Sequence, residues 1–371
     1  MECSMTHTSN KTADELIDLL TLEEQVSILA GADYWSTPAI DRLGIAKLRV
    51  TDGPNGARGS GSIIGGVTAA CFPVGIALGA TWDVDLVRRI GAAIADEVKS
   101  KGAHVLLGPT INMHRTVTNG RNFECYSEDP ELAADLAVAY ITGLQGNGVA
   151  ATVKHFIGNE SEIERTTINS AIDERTLREV YLRPFEAAVK QADVWGIMSS
   201  YNKLNGIYTA ENEWLLTKVL RDEWGYDGIV MSDWFGSRTT APTVNAGLDL
   251  EMPGPTRDRG ATLVQAVHDG LVRAETVRER ALAILRLMER VGSLSDHRPF
   301  EEHADNRPEH RALIRQAGSA GTVLLKNDGA LPLNPDSGTV AVIGPNADVA
   351  QIMGGGSAQL NPHYRITPLD G

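Results

Sequence analysis

The sequence predicts an α/β protein, a (β/α)8 TIM-like barrel followed by the beginning of an α/β sandwich domain. Three observations carry this. Short apolar runs that end in glycine or polar residues alternate with longer amphipathic stretches, the texture of a parallel sheet with helices outside it. The apolar runs are near-continuous, as in strands covered on both faces. Six or seven such units fill roughly 250 residues, the usual extent of a barrel. An open dinucleotide-binding sheet would carry GxGxxG after its first strand, and "VTDGPNGARG" does not supply it.

The expected strands, in order, are "LRVTDGP" (48–54), "PVGIALGATW" (73–82), "HVLLGPTIN" (104–112), "ATVKHFIG" (151–158), "GIMSSYNKLNG" (196–206) and "GIVMSDW" (228–234), with "GLDLEMPG" (247–254) as a seventh. The expected helices include "DVDLVRRIGAAIADEVKS", "DPELAADLAVAYITGLQG", "DERTLREVYLRPFEAAVKQ" and "ENEWLLTKVLRDEW". Each begins near an Asp or Asn, which satisfies the free N–H groups of a first turn. The texture changes near residue 293, so the barrel is assigned to 1–292 and the polar, charged "SLSDHRPFEEHADNRPEH" opens a linker over 293–312. Beyond it, "HRALIRQAGSAGTVLLKND" reads as a helix and then a strand, and "GTVAVIGPNADV" as another strand. Residues 313–371 are thus expected to begin a second domain, in which the chain stops.

Composition narrows the function. At 42% hydrophobic and 22% charged, with a net charge of -14, the chain reads as soluble and globular and has no basic stripe for a nucleic acid. No apolar run approaches the ~20 residues that span a bilayer, so no membrane partner is expected. The opening "MECSMTHTSNKTADELIDLL" lacks the basic-then-apolar order of a secretory signal, which points to the cytoplasm. The odd set Cys3, Cys71 and Cys125 contains no CxxC pair and predicts a reducing compartment without a zinc site. A homo-oligomer is left open.

In a barrel the active site lies at the C-terminal ends of the strands. There the sequence places Asp52, Lys154 with His155, Tyr201, and Asp233 beside Trp234, while Arg121 and Arg165 lie in adjoining loops. Such a set suits a sugar: hydroxyls take charge-assisted hydrogen bonds and an indole face packs on a pyranose ring. Each element also has a structural alternative. Asp233 fits a helix N-cap, Asp52 a turn acid, Lys154–His155 a polar strand end, and "SEDPEL" after Arg121 a turn and helix start. "GGGSA" (354–358) lacks the GKS/T ending of a phosphate loop and reads as a flexible loop, and Glu160, Glu162, Glu164 and Glu174 read as mostly solvated.

Taken together, "LGPTINMHRTVTNGRNFECYSEDPELA", "GVAATVKHFIGNESEIERTTINSAIDERTLREVYLRPFEAAVK" and "IMSSYNKLNGIYTAENEWLLTKVLRDEWGYDGIVMSDWFG" resemble glycoside hydrolase family three, most closely its multi-domain β-glucosidase branch. The likeness begins near residue 13 and includes "CFPVGIALGATWD" and "NDGALPL…VAVIGPNA". It implies a retaining hydrolase that releases terminal glucose from β-glucosides or short oligosaccharides without a metal or organic cofactor. It makes Asp233 the nucleophile, with Asp52, Arg121, Lys154, His155 and Arg165 holding hydroxyls and Tyr201 and Trp234 lining the subsite. Nearby cations are expected to favour ionised Asp233. Thr118 and Asn119 depart from the family pattern before Arg121. The alternatives are a β-xylosidase or other exo-glycosidase of the same family, or a sugar-binding fragment that is catalytically incomplete.

A retaining glycosidase needs a second carboxyl group about 5 Å from the first. Single-domain relatives use a histidine on the loop after the KHF strand, and "FIGNESEIERTT" has none. Multi-domain relatives supply a glutamate from the second domain, which the resemblance places beyond Gly371. Glu160, Glu162 and Glu164 are the alternative acids on the sugar-binding loop.

Overall fold

The expected helix starts form because acidic or amide side chains tie down first-turn N–H groups. In the computed structural model, which describes residues 11–59, 66–298, 301–334, 336 and 338–371, Asp83 accepts from the Leu86 amide, Asp129 from those of Glu131 and Leu132, and Asp173 from that of Thr176. Asn212 does the same for Leu215. Cys3, with the rest of residues 1–10, and residues 299–300 of the expected linker lie outside the described residues.

Eight strands occur among the described residues: β1 (Val50–Asp52), β2 (Val105–Leu107), β3 (Ala150–Phe156), β4 (Asn169–Ser170), β5 (Gly196–Ser199), β6 (Lys203–Leu204), β7 (Ile207–Tyr208) and β8 (Ile229–Ser232). Five of them form one parallel sheet in the order β1-β2-β3-β5-β8. The short β4, β6 and β7 form a separate sheet. Single bridges carry the main ladder on from Met231 to Leu250 and from Glu251 to Ala30. On the opposite edge, the Val50 amide donates to the Trp35 carbonyl at 2.9 Å. Residues 30–35 therefore touch both edges of a curled sheet. Helices Val84–Ser100 and Pro130–Gln145 pack outside it, and one apolar cluster runs from Leu86 and Ile90 through Tyr140 to Val153 and Ile197.

Several expected strands are corrected. "PVGIALGATW" holds a helix, Gly75–Gly79. Its glycines lie against the neighbouring chain, where a Cβ would sit 2.1 Å from the Glu124 carbonyl oxygen at Gly75 and 2.0 Å from that of Tyr126 at Gly79. "GLDLEMPG" contributes only the bridges at Leu250 and Glu251. "TVLLKND" and "GTVAVIGPNADV" join no strand among the described residues. An extended backbone leaves its N–H and C=O groups open unless a neighbouring strand pairs with them, and among the described residues no ladder forms on either run. The helix Pro308–Ala320 begins within the stretch expected as a linker. It docks on the sheet domain through His310, whose Nδ1 lies 2.9 Å from Glu97 Oε1.

Candidate active site

The parallel register aligns the strand ends. Asp52 pairs with Leu107, Phe156 with Ser199, and Ser199 with Ser232. Asp52 closes β1, Lys154 and His155 end near the same edge on β3, and Asp233 follows the last residue of β8. All eight residues picked out from the sequence, Asp52, Arg121, Lys154, His155, Arg165, Tyr201, Asp233 and Trp234, line one cavity of about 640 Å³.

Each is held by specific partners. Lys154 Nζ donates to Asp52 Oδ1 at 2.8 Å, and the Gly53 amide donates to the same oxygen. Both members of this pair are buried. Arg121 is clamped by Glu124 through two bonds, Nε to Oε1 at 2.8 Å and Nη2 to Oε2 at 3.0 Å, and Thr110 steadies Glu124 from behind at 3.0 Å. Arg165 pairs with Glu162 at 2.9 Å and lies over the Tyr201 ring at 4.7 Å. Tyr201 directs its hydroxyl proton to the Trp234 carbonyl at 2.9 Å. Trp234 packs against Trp35, with ring centroids 5.4 Å apart, and Tyr34 and Phe235 extend this aromatic wall.

Asp233 is not a helix N-cap, since the next helix starts at Ala241. Its Oδ1 accepts from the Trp234 amide at 2.7 Å. Its Oδ2 is buried and accepts no hydrogen bond from any described residue, and the nearest basic atom, His155 Nε2, is 3.6 Å away. Asn112 fixes the other side of that imidazole. Asn112 Oδ1 accepts from the His155 amide at 2.8 Å and lies 3.1 Å from Nδ1. An oxygen already accepting a backbone N–H is an acceptor, so Nδ1 carries the proton and Nε2 faces the cavity with its lone pair.

The electrostatics divide the two groups. Burial, reinforced by Arg121, Lys154 and Arg165, holds the His155 pKa well below that of an ordinary imidazole. The ring is neutral, and its contact with Asp233 is not an ion pair. Burial also raises the Asp233 carboxyl above the usual aspartate range, against the lowering pull of Arg121, Lys154 and the Trp234 amide. The expected influence of the cations is present, but burial outweighs it. Burial likewise works against the charge of Arg121, which Glu124 more than offsets, so the guanidinium stays charged.

The three loop glutamates separate. Glu162 lines the Asp233 cavity. Glu164 is exposed. Glu160 is buried and not solvated as the sequence suggested; burial pushes it up to about 7. It lines a second cavity together with Arg115 and Tyr181. Sequence reasoning also missed Asn112, Glu124, Arg58 and the 354–357 loop. That loop is a wall of the sugar-sized cavity and no loose connection: Arg58 donates to the Ser357 carbonyl at 2.9 Å and Arg121 to its hydroxyl at 3.3 Å. The Arg-x-x-Glu spacing of Arg121 and Glu124 was the one signal available for this group. Among the described residues no cluster of His, Cys, Asp and Glu is arranged to hold a metal ion, and no helix is long and apolar enough to cross a membrane.

Comparison with known proteins gives two family matches, "Glycosyl hydrolase family 3 N terminal domain" over residues 39–287 and "Glycosyl hydrolase family 3 C-terminal domain" over residues 322–371. A β-glucosidase of Rhizobium radiobacter is 66% identical over 359 residues, which is 96% of this chain and 44% of that protein. β-Glucosidase B of Emericella nidulans is 52% identical, over 96% of this chain and 43% of its own length. Among solved structures, a Kluyveromyces marxianus β-glucosidase in complex with glucose superposes with a TM-score of 0.92 at 42% identity, covering 96% of this chain and 44% of that one. β-Glucosidase 3B of Thermotoga neapolitana in complex with glucose gives a TM-score of 0.89 at 35% identity, covering 97% and 54%. The chain thus spans less than half the length of these two curated relatives.

Proposed function

The chain belongs to glycosyl hydrolase family 3, and on that premise we propose that it is the sugar-holding part of a retaining β-glucosidase. The observation that carries this reading is the Asp233 carboxylate, which is buried at a strand end in the cavity wall and whose Oδ2 has no hydrogen-bond partner among the described residues. Around it stand a buried ion pair, two arginines, a neutral histidine and an indole, groups suited to the hydroxyls and ring face of one pyranose. In this reading the curled sheet is the wall of a TIM-like barrel over 1–292, 293–312 joins it to a second domain, and 313–371 opens that domain.

The mechanism follows from the carboxylate. Asp233 Oδ2 attacks the anomeric carbon as the bond to the aglycone oxygen breaks, and the aglycone departs with the bonding electrons and a proton from a general acid. Water then attacks the same carbon from the face opposite Asp233, gives a proton back to the conjugate base of that acid, and the bond to Asp233 breaks to release β-glucose and the carboxylate. Lys154 with Asp52, and Arg121 with Glu124, present fixed donors and acceptors to the sugar and need no rearrangement as charge develops. Glu162 is held as the carboxylate partner of Arg165. The general acid is therefore assigned to the length that the relatives have and this chain does not span.

The test is a pre-steady-state assay of the 371-residue chain with a dinitrophenyl β-glucoside, whose leaving group needs no proton. A burst of one dinitrophenolate per chain, followed by slow release of β-glucose, is expected. Neither burst nor release would overturn the assignment. Cellobiose, whose leaving alkoxide needs a proton worth roughly a hundred- to ten-thousandfold in rate, should be hydrolysed barely or not at all. Ready cellobiose hydrolysis would return the acid to Glu162.

A further inference from the structure

Glu160 is a buried carboxylate for which the sugar-binding reading has no use. It borders a different cavity from Asp233, yet a short chain of hydrogen bonds connects the two. Glu160 Oε1 accepts from Asn112 Nδ2 at 3.2 Å and from the Met113 amide at 3.4 Å. Asn112 Nδ2 also donates to the His155 carbonyl at 3.0 Å. The opposite end of the same amide, Oδ1, receives the His155 amide and faces Nδ1. All three side chains are buried.

The Asn112 amide has two orientations, and they differ in what they do to the nucleophile. In the observed one, Nδ1 of His155 is protonated and Nε2 is a lone pair 3.6 Å from Asp233 Oδ2. In the flipped one, the Asn112 NH2 would face Nδ1, the imidazole proton would move to Nε2, and Nε2–H would point at Asp233 Oδ2. A donor there would tie up the lone pair that attacks the sugar. Three contacts oppose the flip: the His155 amide needs an acceptor, the His155 carbonyl needs a donor, and the Glu160 carboxylate accepts the Asn112 NH2 and rejects its carbonyl oxygen. Of these three, Glu160 is the one side chain, and the basic group beside it, Arg115, is turned to the Tyr181 hydroxyl at 2.9 Å.

We propose that Glu160 is a positioning residue which, through Asn112 and together with the His155 backbone, holds the tautomer of His155 and so keeps Asp233 Oδ2 uncapped for attack. The inference rests on the proposed glycosidase reading for its consequence, but the tautomer itself does not depend on that reading.

The experiment uses two readouts at mildly alkaline pH. Two-bond nitrogen–proton NMR of the histidine side chains, with His155 assigned by its loss in His155→Gln, reports the tautomer. The rate of covalent labelling by a 2-fluoro glucosyl fluoride reports the nucleophile. The wild-type ring should show Nδ1–H and an unprotonated Nε2. Glu160→Leu should shift the ring towards Nε2–H and slow labelling about ten- to hundredfold, the scale of a misplaced reacting group. Glu160→Gln retains an acceptor oxygen and should keep the tautomer and label within a few-fold of wild type. Asn112→Ala cuts the connection at its middle and should reproduce Glu160→Leu, which keeps the test decisive if the leucine variant does not fold. An unchanged tautomer in Glu160→Leu or Asn112→Ala, or equal losses in the Gln and Leu variants, would overturn the proposal. A tautomer series that behaves as expected in a chain that never labels would support the positioning role and refute the glycosidase reading.

Discussion

The strand β3 and the run Val323–Leu325 are built from similar residues and end in opposite environments. Every residue of Ala150–Phe156 is buried, with β2 on one side and β5 on the other. Val323, Leu324 and Leu325 are 60%, 61% and 92% exposed and take part in no ladder among the described residues. An apolar run becomes a strand only where neighbours receive its backbone groups as well as its side chains. The same contrast sorts the functional residues. Lys154 and His155 are placed by a paired strand, whereas Ser357 reaches the cavity on a segment fixed by two arginines.

The largest effect belongs to the paired region. Asp233→Ala should lower dinitrophenyl glucoside turnover by a factor on the order of ten thousand or more and leave the unfolding midpoint nearly unchanged. More than a few per cent residual activity would remove Asp233 from the chemistry. Next, Lys154→Met leaves Asp52 buried without its cation and should destabilise the chain by about 3–5 kcal/mol, read from urea midpoints at constant slope.

The two regions can then be set against each other directly. Ile197→Ala, in the fully buried strand β5, should cost about 2–5 kcal/mol. Leu325→Ser should stay within about 0.5 kcal/mol, as exposed substitutions do. A large loss at Leu325 would mean that the segment has partners that this comparison denies it.

The ladder also explains how much could be seen in the sequence. A barrel puts chemistry at strand ends, so the polar residues that interrupt apolar runs could be collected without knowing any contact, and all eight line one cavity. What escaped has no local signature. Asn112 sits at the end of an apolar run and acts across 43 residues of chain on His155. Arg58 and Ser357 meet across 299 residues. The run "PVGIALGATW" has the apolar texture of a strand, whereas Gly75 and Gly79 let a helix approach another backbone. The C-terminal runs have the apolar texture of strands, but a strand also needs a partner, and no single run carries that information.

A smaller effect concerns pH. As the proposed nucleophile, Asp233 would have to be ionised to attack, and burial raises its pKa. Labelling should therefore be full at higher pH and disappear as pH falls through a value above the ordinary aspartate range. Arg121→Gln removes the strongest opposing influence and should move this acid limb upward. An acid limb at or below the ordinary range, or one that moves down in Arg121→Gln, would contradict the assigned electrostatics.

The most direct measurement is peptide mapping of the chain after reaction with a 2-fluoro glucosyl fluoride. The account predicts one fluoroglucosyl adduct, carried by Asp233 within "IVMSDWFG" (229–236). An adduct on Glu162, or on any other carboxylate, would contradict it.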